Sequence, residues 1–292
     1  MKLTFLGTGT SHGVPVIGCD CEVCTSKDPK NRRYRCSSLV TTDEGSNILI
    51  DISPEFRLQA IENKIKHIDA VLITHSHADH LHGIDDLRIF SSVRPPHDKA
   101  SNKKAKEFFN PAIPVYTNYE TKKDIRIRFA YLFMSVKEGG GHAKIDLKSV
   151  SSRFDYKDVK ITPVPLMHGH LETTGWIISG KKGKSIAYLT DCNHIGKKSF
   201  DLINKTAQKY GRIEHLVIDG LRIKPHSTHF SFLEAMEAAD KIQAKHVWLI
   251  HLTHALAHDD VIKYIKENLN KFPNLKNAES VLPAYDGLKI EC

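Results

Sequence analysis

Residues 70–83 read Ala-Val-Leu-Ile-Thr-His-Ser-His-Ala-Asp-His-Leu-His-Gly, an apolar run followed at once by an H-x-H-x-D-H cluster. Packing does not account for His75, His77, Asp79 and His80 on one short stretch. A core strand takes apolar side chains, and a solvated turn has no use for imidazoles. Metal binding does use them, because imidazole nitrogen and carboxylate oxygen suit zinc and manganese. A short loop after a buried strand is also held by a rigid element, as a reactive constellation requires. The stretch predicts a buried strand running into a metal-binding loop.

The same signal recurs downstream in isolation. His168 follows Val164-Pro165-Leu166-Met167, Asp191 follows Ala187-Tyr188-Leu189-Thr190, and His251 follows Val247-Trp248-Leu249-Ile250. Any one of them alone reads as a hydrogen-bonded turn residue. Three of them, added to the first cluster, read as one site at the edge of a sheet and make a dinuclear metallohydrolase the expectation. Near the N-terminus, Gly18-Cys19-Asp20-Cys21-Glu22-Val23-Cys24 forms a C-x-C-x-x-C loop. Three soft ligands on one loop fit tetrahedral zinc, which asks for a fourth. His254, in His251-Leu252-Thr253-His254, is the best candidate. A closed Cys₃His site would pin the N-terminal loop to the segment that carries His251.

Composition bounds the reading. A chain of 292 residues, 40% hydrophobic and 26% charged, is long enough for a sizeable core and ordinary for a soluble protein. No apolar run is long enough to span a membrane, and the opening Met-Lys-Leu-Thr-Phe-Leu-Gly is no signal peptide, so a cytoplasmic location is expected. The formal charge of +8 favours anionic ligands, but the basic residues are spread out, with concentrations at 30–35, 99–106 and 181–184. That argues for a small anionic substrate over nucleic acid as main partner. The 6 cysteines are no disulfide framework in such a chain; Cys36, Cys192 and Cys292 are expected to be unligated.

Short β-branched segments alternate with helical patterns. Strands are expected at Lys2–Leu6, Ser38–Thr42, Ile48–Asp51, Ala70–Thr74, Pro114–Thr117, Val159–Pro165, Trp176–Ser179, Ser185–Leu189, His215–Asp219, His246–Ile250 and Gly287–Glu291. Helices are expected from Pro54 to about Asn63, over Ser231–Ile242 with Ser231 as cap and Glu234 closing the box, and near Asp259–Leu269. Residues 91–113 and 136–155 read as surface insertions on a single α/β domain spanning 1–292. Local pattern leaves the strand order open.

The ordered set H-x-H-x-D-H, His, Asp, His resembles the metallo-β-lactamase superfamily, over essentially the whole chain. The resemblance implies a four-layer αββα sandwich with the metals at one edge. It allots His75, His77 and His168 to one ion, Asp79, His80 and His251 to the other, and Asp191 to both. Gly83 closes the loop, and Asp79 counts among the catalytic residues as well as the ligands. Two divalent ions about 3.5–4 Å apart can share a water, lower its pKa and polarise a phosphoryl or carbonyl oxygen. The catalytic ions would be zinc or manganese, with iron also compatible, and the Cys₃His ion a structural zinc.

Gly7-Thr8-Gly9-Thr10-Ser11-His12-Gly13, the C-x-C-x-x-C loop and the H-x-x-H ending narrow the resemblance to the PhnP-type cyclic phosphodiesterases. The implied reaction is metal-dependent hydrolysis of a small phosphodiester, such as phosphoribosyl 1,2-cyclic phosphate or a 2′,3′-cyclic nucleotide, and a homodimer would fit. His229, before the Ser231 helix, takes the place of a substrate-facing histidine that would stabilise phosphoryl charge or protonate the leaving oxygen; His226 competes with it. His82, His170, Asp85, Asp86 and Arg88 are weaker candidates for substrate contact or for orienting ligands, and Arg32, Arg33 and Arg35 for a basic rim. The competing functions are a tRNA 3′-processing endonuclease, which grips its substrate with an arm longer than 91–113, a hydrolase of thioester, lactone or lactam carbonyls, and a carrier like the pyrroloquinoline-quinone operon protein.

Overall fold

The computed structural model describes residues 1–91, 112–134 and 141–292. Two seven-stranded sheets pack face to face. The first holds β1 (Lys2–Gly7), β2 (Ser37–Thr41), β3 (Asn47–Ile50), β4 (Ala70–Leu72), β5 (Ile113–Thr117) and β6 (Ile145–Ser149). The second holds β7 (Phe154–Tyr156), β8 (Val159–His168), β9 (Leu171–Ser179), β10 (Ser185–Leu189), β11 (Ile213–Asp219), β12 (His246–Ile250) and β13 (Ser280–Pro283). The chain ends in β14 (Lys289–Glu291), which crosses back to pair antiparallel with β1. Strand order is β14-β1-β2-β3-β4-β5-β6 in one sheet and β13-β12-β11-β10-β9-β8-β7 in the other.

Three apolar layers explain why so many strands read as unbroken hydrophobic runs. Ile48, Ile50, Ala70 and Leu72 face Ile178, Ile186, Tyr188 and Val217 between the sheets. The alternate residues, Leu49, Val71 and Val115, face the helices α1 (Phe56–Glu62), α2 (Ala78–Leu81), α3 (Arg88–Ser91) and α4 (Tyr119–Arg128). On the far side Ala187, Leu189, Leu216 and Leu249 are covered by α5 (Lys197–Tyr210), α6 (Phe232–Ile242) and α7 (His258–Asn268). A strand buried on both faces has no polar alternation to show. The result is the expected four-layer αββα arrangement.

The capping box at Ser231 and Glu234 is present as expected. Two expectations need correction. Within 136–155, read as an insertion, residues 145–149 and 154–156 supply an edge strand to each sheet; residues 135–140, which include Gly139 and Gly140, lie outside the described residues, as do 92–111 of the other stretch. The strand expected to stop at Pro165 runs on to His168. The reason is that β7 pairs only with residues 159–161, so beyond Ile161 β8 is an edge, where prolines 163 and 165 forfeit no ladder bond. That extension carries His168 to the end of the sheet.

Asp286 ties the return connection to the N-terminal loop. It is half-buried and accepts from the Thr8 backbone N–H and hydroxyl, both at 2.8 Å, and from the Tyr34 N–H at 2.6 Å. Burial pushes its carboxyl up to about 7, against the pull of those donors and of Arg33. Between the unfolded value, about 3.9, and 7 the folded chain keeps a proton that the unfolded chain releases, so stability falls as pH rises through that window and levels off above it. Between pH 6 and 7 the native protein should lose about 1 kcal/mol that Asp286→Asn does not lose, read by urea unfolding at pH 6, 7 and 8. Equal slopes in the two proteins would refute this.

Candidate metal centre

Six strands deliver polar side chains from their carboxyl ends to one edge of the sandwich. Beyond β3 stands Asp51, beyond β4 the Thr74–His80 loop, and at the ends of β8, β11 and β12 stand His168, Asp219 and His251; Asp191 lies just past β10. The carboxyl ends of parallel strands all open on one side, so residues distant in sequence meet there. Asp51 and His251 adopt left-handed backbone conformations, with φ of 58° and 62°. Each costs on the order of 1 kcal/mol and persists because the surroundings fix it. Gly83 closes the loop by close approach: a Cβ there would lie 2.1 Å from the Ser53 carbonyl oxygen.

Three of the imidazoles, those of His75, His80 and His168, are held at Nδ1. His80 donates from Nδ1 to Asp51 at 2.7 Å, and Asp51 also accepts from the Thr74 N–H at 2.8 Å. Thr74 Oγ1 bridges Asp51 to His75 Nδ1. His168 Nδ1 bonds the Thr228 carbonyl at 2.7 Å. With Nδ1 occupied, each ring turns Nε2 to the centre, the arrangement that fixes the tautomer of a metal-ligating histidine.

What the open nitrogens meet is a test of whether a metal fits. The Nε2 atoms of His75, His80 and His251 are buried without a hydrogen-bond partner. Yet His80 Nε2 and His251 Nε2 lie 3.0 and 3.1 Å from Asp191 Oδ2, and 3.2 and 3.6 Å from Asp79 Oδ2. Ligands at about 2.0–2.1 Å from a tetrahedral ion stand about 3.4 Å apart. Side chains close enough to share a proton but not hydrogen-bonded match ligands of a common ion. His75, His77 and His168 form an adjoining group whose ligand atoms lie within 4.8 Å of one another, and Asp191 Oδ2 stands 4.0 Å from His75 Nε2. Asp191 thus lies between the two groups.

The electrostatics agree. Burial alone would raise the Asp191 carboxyl, but His251 and His80 hold it well below the usual carboxylate range. Burial would likewise depress His80, but Asp191, Asp79 and Asp51 push it well above its ordinary value. Burial wins at His75, which is driven well down and stays neutral. The carboxylates that favour a proton on His80 supply the concentrated anionic oxygen that a divalent cation, displacing that proton, requires.

A second cluster stands beside the first. Cys19, Cys21 and Cys24 each place Sγ 3.4 Å from His254 Nδ1. Tetrahedral zinc, with Zn–S about 2.3 Å and Zn–N about 2.0–2.1 Å, separates such ligands by about 3.6 Å. Thr8 and Thr10 hydrogen-bond Leu252 on either side of its peptide, so the N-terminal loop is fastened to the His251–His254 segment.

His229 lies against the candidate ligands, its ring stacked 4.4 Å from His251 and edge-on to His168 at 4.5 Å. Its Nδ1 meets Asp219 Oδ2 at 2.7 Å. Burial opposes protonation, but Asp219 overrides it and lifts the imidazole to about 9. His226 stands one ring farther out, 5.4 Å from His229. Asp219 with His229, Asp191 and His251 forms a further acid–imidazole group, but Asp219 Oδ2 is already engaged by His229 and by the Cys192 N–H at 2.9 Å.

Sequence reading missed Asp51 and Asp219, although each ends a strand that it had drawn. The acids it weighed instead do other work: Asp85 accepts from the Tyr131 hydroxyl at 2.6 Å. Arg33 is no part of a basic rim; it is buried beside the Thr253 carbonyl. Arg35 is spent on Ser11 and Glu55. His170 and Arg88 are exposed, and His82 packs edge-on against Phe129.

Known proteins resemble this chain in sequence and fold. A family described as "Beta-lactamase superfamily domain" matches residues 46–252. A solved structure described as a new diphosphatase from the PhnP family superposes with a TM-score of 0.77 at 35% identity, covering 100% of this chain and 97% of that one. Zinc-bound PqqB from Methylobacterium extorquens superposes at 0.75 with 16% identity over the full length of both chains, a likeness of fold. An octanoyltransferase of Porphyromonas gingivalis is 32% identical across 99% of this chain, which spans 51% of that protein.

Proposed function

We propose that this chain, which belongs to the beta-lactamase superfamily and within it to the PhnP family, turns a metal-dependent hydrolase site on small phosphodiesters, cyclic ones above all. His75, His77 and His168 would hold one divalent ion, Asp79, His80 and His251 a second, and Asp191 both. Cys19, Cys21, Cys24 and His254 would hold a structural zinc. Divalent ions in such a site lower the pKa of water toward neutrality and draw charge from a phosphoryl oxygen.

The protein's own groups do the rest. Asp51 fixes the tautomer of His80, and the buried carboxylates keep the ligand nitrogens turned inward. The observation that carries the phosphodiester reading is His229, held at Nδ1 by Asp219 at 2.7 Å with its ring against His251 and His168. When water attacks phosphorus in line, the P–O bond to the sugar breaks and the departing oxygen needs a proton. His229 Nε2 would supply it and recover one from the attacking water. Opening a five-membered cyclic phosphate is the simplest case, because the leaving oxygen stays on the product beside its donor.

The test is metal analysis together with turnover of bis(p-nitrophenyl) phosphate, 2′,3′-cyclic nucleotides and phosphoribosyl 1,2-cyclic phosphate, set against precursor tRNA and an octanoyl thioester. Three metals per chain and cleavage of the cyclic phosphates are expected. Preferred cleavage of tRNA would make the protein an endonuclease, and preferred cleavage of the thioester would move the chemistry to carbonyl carbon. A fully metallated protein inert toward all of them would be a carrier. The acyl transfer named for the Porphyromonas gingivalis relative belongs to a protein of which this chain spans half.

A further inference from the structure

The segment that follows β10 does more than deliver Asp191. The Cys192 N–H donates to Asp219, the partner of His229, and the Cys192 carbonyl accepts from the Phe230 N–H, both at 2.9 Å. Asn193 then spends its side chain on two loops at once. Its Oδ1 accepts from the Gly169 N–H at 2.8 Å, directly after His168, and its Nδ2 donates to the Ser227 carbonyl at 2.8 Å. Its backbone N–H donates to the Met167 carbonyl at 2.9 Å, which fixes the amide to the end of β8.

The loop so held is the one that carries His229. Residues 221–230 form neither helix nor strand, so no ladder of backbone bonds sets their place. Thr228, between Ser227 and His229, accepts from His168 Nδ1 at 2.7 Å. Gly169 has a φ of 62°, and a Cβ on it would stand 3.0 Å from Thr228 Cγ2, so the hairpin and the loop are in contact. Bonding an N–H on one side and a carbonyl on the other takes an acceptor and a donor on one short side chain. An amide has both, whereas an ionised carboxylate only accepts.

We propose that Asn193 is a positioning residue for the proton donor: its amide holds the Ser227–His229 loop against the His168 hairpin and so sets His229 beside the ligand groups. The inference rests on the reading of His229 as the donor to the leaving oxygen and deepens it. A catalytic group displaced by about 1 Å loses on the order of a hundredfold in rate. Asn193 is half-buried, and the groups it bonds can turn to water, so its replacement is compatible with folding.

The experiment places Asn193→Ala and Asn193→Asp in the metal-loaded full chain, each alone and combined with His229→Ala. Metal content and kcat are measured on adenosine 2′,3′-cyclic phosphate and on bis(p-nitrophenyl) phosphate. Asn193→Ala should keep the native metal content and lose about ten- to a hundredfold in kcat on the cyclic nucleotide. The loss should be smaller on bis(p-nitrophenyl) phosphate, whose leaving group needs no proton. Asn193→Asp should fall as far, because it keeps the bond to Gly169 and sets an oxygen against the Ser227 carbonyl. In the His229→Ala background the same changes should cost no more than about twofold, since the group they position is gone. Native kcat, an equal loss on both substrates, a full further loss in the His229→Ala background, or a loss of metal each overturns the proposal. If the cyclic nucleotide is not cleaved at all, the phosphodiesterase reading falls, and hydrogen exchange decides the part of Asn193. Faster exchange in Asn193→Ala confined to residues 227–230 supports it, and native exchange there overturns it.

Discussion

Asp191→Ala should abolish turnover, with a loss of at least about a thousandfold, or roughly 4 kcal/mol of transition-state stabilisation. One carboxylate oxygen of Asp191 stands 3.0 Å from His80, 3.1 Å from His251 and 4.0 Å from His75, so its removal strips an anionic ligand from both groups at once. Partners that merely orient a ligand are worth about ten- to a hundredfold, and a shared ligand must exceed that. Metal content should fall from three ions per chain toward one, the remaining ion being the zinc of Cys19, Cys21, Cys24 and His254. The measurement is elemental analysis after reconstitution, paired with turnover of bis(p-nitrophenyl) phosphate. A variant that retained three ions and a tenth of native turnover would remove Asp191 from the centre.

His229→Ala should separate catalysis from metal binding. The side chain lies against His251 and His168 but belongs to neither ligand group, and its Nδ1 is taken by Asp219. Losing a positioned proton donor costs about 10²- to 10⁴-fold in kcat. The metal content should stay at the native level, in contrast to Asp191→Ala. The loss should also be smaller on bis(p-nitrophenyl) phosphate, whose nitrophenolate leaves without a proton, than on a cyclic nucleotide, whose alkoxide does not. His226→Ala is the natural comparison and should lose far less, since His226 stands one ring farther from the ligands. Full turnover of the cyclic substrate by His229→Ala would sink the assignment.

Much of this was legible because it is written locally. A strand buried on both faces reads as an apolar run, and a candidate ligand just beyond it stands out by contrast, as His75, His168, Asp191 and His251 do. The C-x-C-x-x-C loop is local in the same way. Asp51 and Asp219 carried the same signal, a polar residue closing a strand, but a lone aspartate there is also what an ordinary turn shows. Residues 119–128 gave no helical signal worth the name, since only Thr121 and Ile125 of α4 are buried. The edge strands β6 and β7 were hidden in a polar stretch, because a strand with few buried side chains has little hydrophobic pattern to display.

The sequence by itself determined which residues are candidates to hold metal and in what order they come, because a ligand's chemistry and its place after a strand are properties of a few neighbouring residues. Only the tertiary structure decided how those ligands are aimed and what stands beside them. Asp51 reaches His80 across 29 positions, Asp219 reaches His229 across 10, and Arg128 reaches Ser76 across 52. Such pairs exist only once two sheets and their helices have packed, and no local pattern encodes a distance across that packing.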